Sequence, residues 1–128
     1  MLLEAKVNKI KILKMNIGFF KNKLKNNPKS IEFCETMSVV DKHYNFTPTA
    51  FKNGSLENSA EQNSGSCKLF AFATSQNLSK EETLACFGEF YFKDVLKKPD
   101  GEGHQNIRNF MKTGFEGLYF ENTALTEK

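Results

Sequence analysis

The dipeptide Asn53-Gly54 places a tight turn near the middle of the chain. A two-residue type I′ turn needs positive φ at both central residues, a conformation that asparagine and glycine tolerate well. A turn centred on this pair sets Phe51 opposite Leu56 on one face of a β-hairpin. The later segment "FEGLYFEN", residues 115–122, alternates enough to be a strand that pairs with this hairpin. The pattern therefore predicts a small antiparallel sheet.

Helical patterns lie on both sides of the hairpin. The clearest one begins at a capping box, in which Ser79 is followed three residues later by Glu82, and it ends before Pro99. Gly88 lies inside this helix, where glycine costs about 1 kcal/mol relative to alanine, so we expect a neighbouring element to approach closely there. The other predicted helices run from Ile17 to Asn26, from Pro28 to about Tyr44 with Asn27 as its N-cap, from a cap at Ser66, and from about His104 to a C-terminal cap at Gly114.

Length and composition fit one folded domain. The chain has 128 residues, of which 39% are hydrophobic, and 13 phenylalanines with no tryptophan must supply most of the core. We therefore predict an α+β fold, a single small domain of several short helices packed with a small β-hairpin or sheet. Residues 1–14 are interpreted as a basic leader or an over-extended start, and the domain as residues 15–128.

The distribution of charge excludes several classes of partner. The net charge of +3 comes from four lysines and one glutamate in residues 1–14; the remaining residues carry fourteen basic and fourteen acidic side chains. A neutral body offers no broad surface for a phosphate backbone, so we expect no nucleic-acid partner. No run approaches the roughly 18 apolar residues of a membrane span, so we expect no membrane partner either.

Cysteine and histidine usage indicates a reducing compartment and no resident metal. The three cysteines form neither an even set nor a closely spaced pair, which is more typical of a reducing compartment such as the cytoplasm than of a disulfide framework. The two histidines, His43 and His104, have no metal-ligand spacing. No metal and no cofactor are therefore expected.

Four stretches of the sequence suggest a family. "YNFTPTAFKNG", "NSGSCKLFAFA", "LACFGEFYFKDVL" and "GHQNIRNFMKTGFEG", in this order and spacing, resemble the HopJ type III effector family over about residues 15–128. The resemblance implies a small mixed α and β bacterial domain of unresolved activity. It also implies a host-cell target if the protein is exported. Export signals of that type are polar and serine-rich, however, whereas residues 1–14 are rich in lysine and aliphatic side chains.

One hypothesis for function is thiol-dependent hydrolase or transferase chemistry. Cys67 follows a glycine and a serine at a predicted helix start, where backbone N–H groups stabilise a thiolate. His104 would be the base, and Asn106 or Asp100 would orient it. In the alternative interpretation Cys67 packs as a small apolar residue and His104 caps the next helix.

The favoured hypothesis is binding of a small anionic ligand or a protein partner. The backbone N–H groups in the first turn of a helix commonly bind an anion, and the sequence predicts such a turn directly after the polar loop. Arg108 is the single arginine among eighteen basic residues, which indicates a need for its planar, bidentate group, either for a carboxylate inside the fold or for a ligand. Alternatively, the polar side chains of the loop only form hydrogen bonds to the loop's own backbone. The candidate ligand-binding residues are Asn63, Gly65, Ser66, Lys68 and Arg108, with Ser64 beside them.

Overall fold

Short helices and three-residue strands are distributed along residues 16–128, the part of the chain that this computed structural model describes. The α-helices are α1 (Ile17–Asn26), α2 (Phe33–His43), α3 (Ser64–Ser75), α4 (Lys80–Ala85) and α5 (Gln105–Thr113). The strands are β1 (Tyr44–Phe46), β2 (Phe51–Asn53), β3 (Leu56–Asn58), β4 (Leu118–Phe120) and β5 (Leu125–Glu127). Single turns of 3₁₀-helix cover Pro28–Ser30 and Gly114–Gly117, and Phe90–Val95 is a π-helix. The predicted α+β fold is confirmed; the leader predicted at residues 1–14 lies outside the described residues.

Two small antiparallel sheets carry the strands. The larger has the order β3-β2-β4, and its pairing of Phe51 with Phe120 confirms that the 115–122 segment supplies a strand beside the hairpin. The smaller sheet pairs β1 with β5, so that Tyr44 lies opposite Glu127. This second sheet was not predicted, because Tyr44 continues the apolar stripe of the helix that precedes it.

The hairpin turn is displaced by one residue from its predicted position. Phe51 pairs with Asn58 rather than with Leu56, and Asn53 pairs with Leu56. Gly54, with φ of 62°, is then the first central residue of the turn, as a type II′ turn requires. The type I′ prediction is therefore wrong, because Ser55, the second central residue, does not have a positive φ. The observed register places Asn53 and Asn58 on the buried face with Phe51, and the side-chain amides of both donate to Asn106 Oδ1.

The second helix begins later than predicted. Pro28 starts only a 3₁₀ turn, after which Ile31 and Glu32 are extended, and α2 begins at Phe33 with a capping box between Glu32 and Glu35. The break is explained by Ile31, whose side chain is buried and could not face the core on a continuous helix from Pro28. The cap predicted at Ser66 is also displaced, because α3 begins at Ser64 and its N-cap is Asn63, three residues earlier.

Gly88 divides the long helix that the sequence predicted. The capping box of Ser79 and Glu82 is present, but α4 ends at Ala85 and Gly88 adopts a left-handed φ of 57°. A Cβ atom on Gly88 would lie 2.6 Å from the backbone nitrogen of Phe33 and 2.7 Å from the carbonyl oxygen of Ile31. The predicted close approach is therefore confirmed, and the chain resumes beyond it as the π-helix.

Phenylalanine rings form the centre of the core, as composition predicted. Phe70 of α3 lies 5.0 Å from Phe110 and 5.4 Å from Phe87, measured between ring centroids, and 6.2 Å from Phe51. These contacts join α3, α5, β2 and the segment after α4 around one ring. Within residues 16–128 no helix is both long and apolar enough to cross a membrane.

Candidate ligand-binding site

A cavity of about 430 Å³ lies where the first turns of α3 and α5 approach each other. Its apolar walls are Phe33, Leu56, Phe87, Phe90 and Ile107. Its polar lining is Asn63, Gly65, Ser66, His104, Gln105 and Asn106. A larger depression of about 610 Å³ along residues 120–125 is shallower, and its lining includes neither histidine nor cysteine. The smaller cavity is therefore the candidate site, and it brings together five of the residues that the sequence singled out.

Both helices that reach the cavity begin without a side-chain cap. Asn63 precedes α3 with φ of 55°, and His104 precedes α5 with φ of 57°, both in the left-handed region. The first N–H groups of a helix have no partner within it, and neither helix here receives one from a capping side chain. Each helix N-terminus also carries the equivalent of about half a positive charge. The two ends together make this corner of the cavity suited to a negative group.

A cluster of asparagine amides, here called the asparagine network, fixes the polar side of the cavity. Asn106 donates to Asn58 Oδ1 at 3.0 Å, and its own Oδ1 accepts from Asn53 at 3.1 Å and from Asn58 at 3.2 Å. Asn63 donates to the same Asn58 oxygen at 2.6 Å. Three of the four are nearly fully buried. The network therefore ties the starts of α3 and α5 to the hairpin.

His104 is held by a residue that the sequence did not indicate. Its Nε2 atom lies 3.1 Å from Asp94 Oδ2, and its ring stacks on Phe90 with 5.2 Å between centroids. The π-helix supplies both contacts, since Phe90 and Asp94 lie on it four residues apart. Asn106, predicted to orient His104, belongs to the asparagine network instead. The wider turn of a π-helix is not visible in a sequence pattern, so Asp94 could not be singled out.

Cys67 lies in the core and does not line the cavity. Its side chain is 1% exposed, and Sγ lies 3.9 Å from the carbonyl oxygen of Thr49. Burial raises the pKa of the Cys67 thiol to about 11, although the bond to Thr49 partly offsets this. A protonated, buried thiol is a poor nucleophile. The structure thus separates Cys67 from His104, in agreement with the alternative in which Cys67 packs as a small apolar residue.

The two basic residues of the binding hypothesis also point elsewhere. Lys68 forms a salt bridge of 3.0 Å with Asp41 and lies 5.1 Å above the ring of Phe46. Arg108 donates from Nε to the Gly103 carbonyl at 2.6 Å and from Nη1 to the carbonyl of Pro99. The guanidinium group of Arg108 therefore binds backbone carbonyl groups of the loop before α5 and stabilises the fold there. Positive character at the cavity must therefore come from its helix ends.

Thiol reactivity tests this placement of Cys67. With a maleimide at neutral pH, we expect Cys34, which is exposed, to react at once, while Cys67 and Cys86 react only after denaturation. Mass spectrometry of alkylated peptides over time gives the three rates. Rapid labelling of Cys67 that slows in His104→Asn would contradict the structure and restore the thiol-enzyme hypothesis.

No three histidine, cysteine, aspartate or glutamate side chains within residues 16–128 gather into a group that could hold a metal ion. The polar groups that line the cavity are helix N–H groups, side-chain amides, one hydroxyl and one histidine.

Comparison with known proteins defines the family. The family model described as HopJ type III effector protein matches residues 17–125. A solved structure, described as a crystal structure of the unknown function protein VPA0580, is 54% identical in sequence and superimposes with a TM-score of 0.87. The match covers 90% of this chain and 96% of that one. No curated protein matches the sequence significantly. The chain therefore belongs to the HopJ type III effector protein family.

Proposed function

We propose that the cavity between α3 and α5 binds a small anionic ligand. The observation that carries the proposal is the meeting of two helix N-termini, neither capped by a side chain, at one cavity with apolar walls. An acidic group of the ligand would accept hydrogen bonds from the first N–H groups of the helices, as anions commonly do. The apolar part of the ligand would lie against the phenylalanine rings.

The shape and charge of the cavity favour such a ligand over a protein partner. A volume of about 430 Å³ lies within the range of small-molecule sites, and one side is aromatic. Among the described residues that line it, none is acidic, so no side chain in the lining opposes a negative group. Asn63 and Asn106 are held by the asparagine network, which keeps both helix starts in place before a ligand arrives.

Ser66 offers a direct test. It lines the cavity in the first turn of α3, where a glutamate would favour the helix but would occupy the N–H groups and repel an anion. Benzoate is a suitable probe, with benzamide as its uncharged counterpart. We expect benzoate to shift the amide resonances of residues 64–66 and 105–106, and benzamide to shift them far less. Ser66→Glu should weaken benzoate binding about tenfold or more, which corresponds to about 1.4 kcal/mol.

The matched control is Ser66→Gln, which has the size of glutamate without its charge and should bind benzoate within a few-fold of the unchanged chain. Equal losses in the two variants would show a steric effect and contradict anion recognition. Equal shifts by benzoate and benzamide would contradict it as well.

A further inference from the structure

His104 alone can change charge among the described residues that line the cavity. The other lining residues are aromatic, aliphatic, amide, hydroxyl or glycine. The helix ends contribute a constant partial charge, because backbone N–H groups do not titrate at ordinary pH. Any pH dependence of the cavity's own charge must therefore arise at this imidazole.

Asp94 determines which ring nitrogen of His104 can meet a ligand. An ionised carboxylate only accepts hydrogen bonds, so the Nε2 atom that faces Asp94 Oδ2 at 3.1 Å must carry a hydrogen. In the neutral ring the other nitrogen, Nδ1, then has a lone pair and no hydrogen. A lone pair repels an anion, whereas a protonated Nδ1 donates to it. With Nε2 held by Asp94, Nδ1 is the ring nitrogen left for a ligand, and it can donate only when the ring is charged.

Other charged groups around His104 are engaged or exposed. Glu89, at the start of the π-helix, accepts from the Phe33 backbone nitrogen at 3.2 Å, and Arg108 binds carbonyl groups of the preceding loop. The charged side chains near α2 and α3, Glu35 and Lys68, are in salt bridges with Lys23 and Asp41. The remaining charged groups of the π-helix and of the loop before α5 are exposed to solvent, namely Lys93, Lys97, Lys98, Asp100 and Glu102.

We propose that the anionic ligand is bound together with a proton on His104, and that Asp94 is the positioning residue that imposes this requirement. The inference rests on the proposed function of the cavity. A proton from solvent adds to Nδ1, the ring gains one positive charge, and Nδ1–H donates to the acidic group of the ligand. The sign follows directly, because affinity is highest where His104 is already protonated and falls as pH rises.

The proposal is tested by titrating the protein with benzoate at several pH values between about pH 6 and about pH 8. Binding is monitored by the shifts of the amide resonances. Benzoate stays ionised throughout, because benzoic acids titrate near pH 4, as carboxyl groups do in general. We expect the dissociation constant to increase with pH by up to about tenfold per unit. Addition of benzoate to unbuffered protein should raise the pH, because protons are taken up. Benzamide should show no pH-dependent dissociation constant, and its addition should not raise the pH.

Two variants separate the role of His104 from that of Asp94. His104→Asn keeps a residue that tolerates positive φ, and it should abolish both the proton uptake and the pH dependence. Asp94→Asn frees the tautomer, since an asparagine can donate to Nε2 and leave a hydrogen on Nδ1. It should retain benzoate binding with a flatter pH profile and less proton uptake. Denaturant midpoints confirm that both variants fold.

The outcomes distinguish this inference from the proposed function. No benzoate binding at any pH in the unchanged chain would overturn the proposed function itself. Binding that is independent of pH, with no proton uptake, would leave that function standing and overturn the role of His104. Proton uptake in Asp94→Asn equal to that of the unchanged chain would overturn the role of Asp94.

Discussion

Replacing Asn58 by aspartate is expected to lower the free energy of unfolding by about 3 kcal/mol or more at neutral pH. Asn58 is 3% exposed, and its Nδ2 group donates to Asn106 Oδ1 and to the carbonyl oxygen of Phe51. An aspartate of the same shape would put a charged oxygen against both acceptors. Urea unfolding followed by circular dichroism measures the loss.

The pH dependence of this variant gives a second readout. Burial among acceptors raises the pKa of a carboxyl group above its value in the unfolded chain. The destabilisation should therefore be largest at neutral pH and decrease as pH falls through the raised pKa, because the protonated acid can again donate. Asn22→Asp on the exposed face of α1 is the control and should cost little at either pH. A loss in Asn58→Asp no larger than in this control would contradict the asparagine network.

Gly88→Ala should be the most damaging of the glycine substitutions, with a loss of about 3 kcal/mol. The left-handed backbone costs a residue with a Cβ atom about 1–2 kcal/mol, and overlap in a packed interior adds about 1–3 kcal/mol. The overlapping atoms belong to the backbone at Ile31–Phe33, which cannot turn aside as a flexible side chain would. Unfolding midpoints in guanidinium chloride measure the effect.

Gly103→Ala is the matched control, because a Cβ atom at Gly103 meets nothing within 4 Å. It should change stability by less than about 0.5 kcal/mol. Similar midpoints for the two variants would show that the approach at Gly88 is looser than described. Since Phe33 forms a wall of the cavity, Gly88→Ala should also weaken benzoate binding where Gly103→Ala does not.

Much of the fold could be predicted because its signals are local. The first helix was predicted from Ile17 to Asn26, as observed, and the capping box at Ser79 lies where expected. Features that depend on distant contacts were missed. The hairpin register follows from the burial of Asn53 and Asn58 beside Asn106, 48 or more positions away, and no local propensity encodes that choice.

The candidate site was predicted only in part, because some of its residues are indicated by local signals and others depend on the folded structure. Loop composition and helix starts indicated Gly65, Ser66 and His104, which do line the cavity. Cys67 is one position beyond Ser66, and a step of about 100° around a helix turns its side chain from the cavity into the core. Sequence spacing alone could not say which of the two neighbours faces the cavity. Asp94 required the π-helix, which only the three-dimensional structure shows.

The asparagine network also links folding and binding in one cooperative unit. The same amides close the β2–β3 hairpin and hold the starts of α3 and α5, so local opening of the hairpin must release both helix ends at once. A ligand that requires both ends would therefore stabilise the hairpin without touching most of it. Binding at the proposed site would then be coupled to the free energy of a shared local unfolding event, with no need for a moving lid.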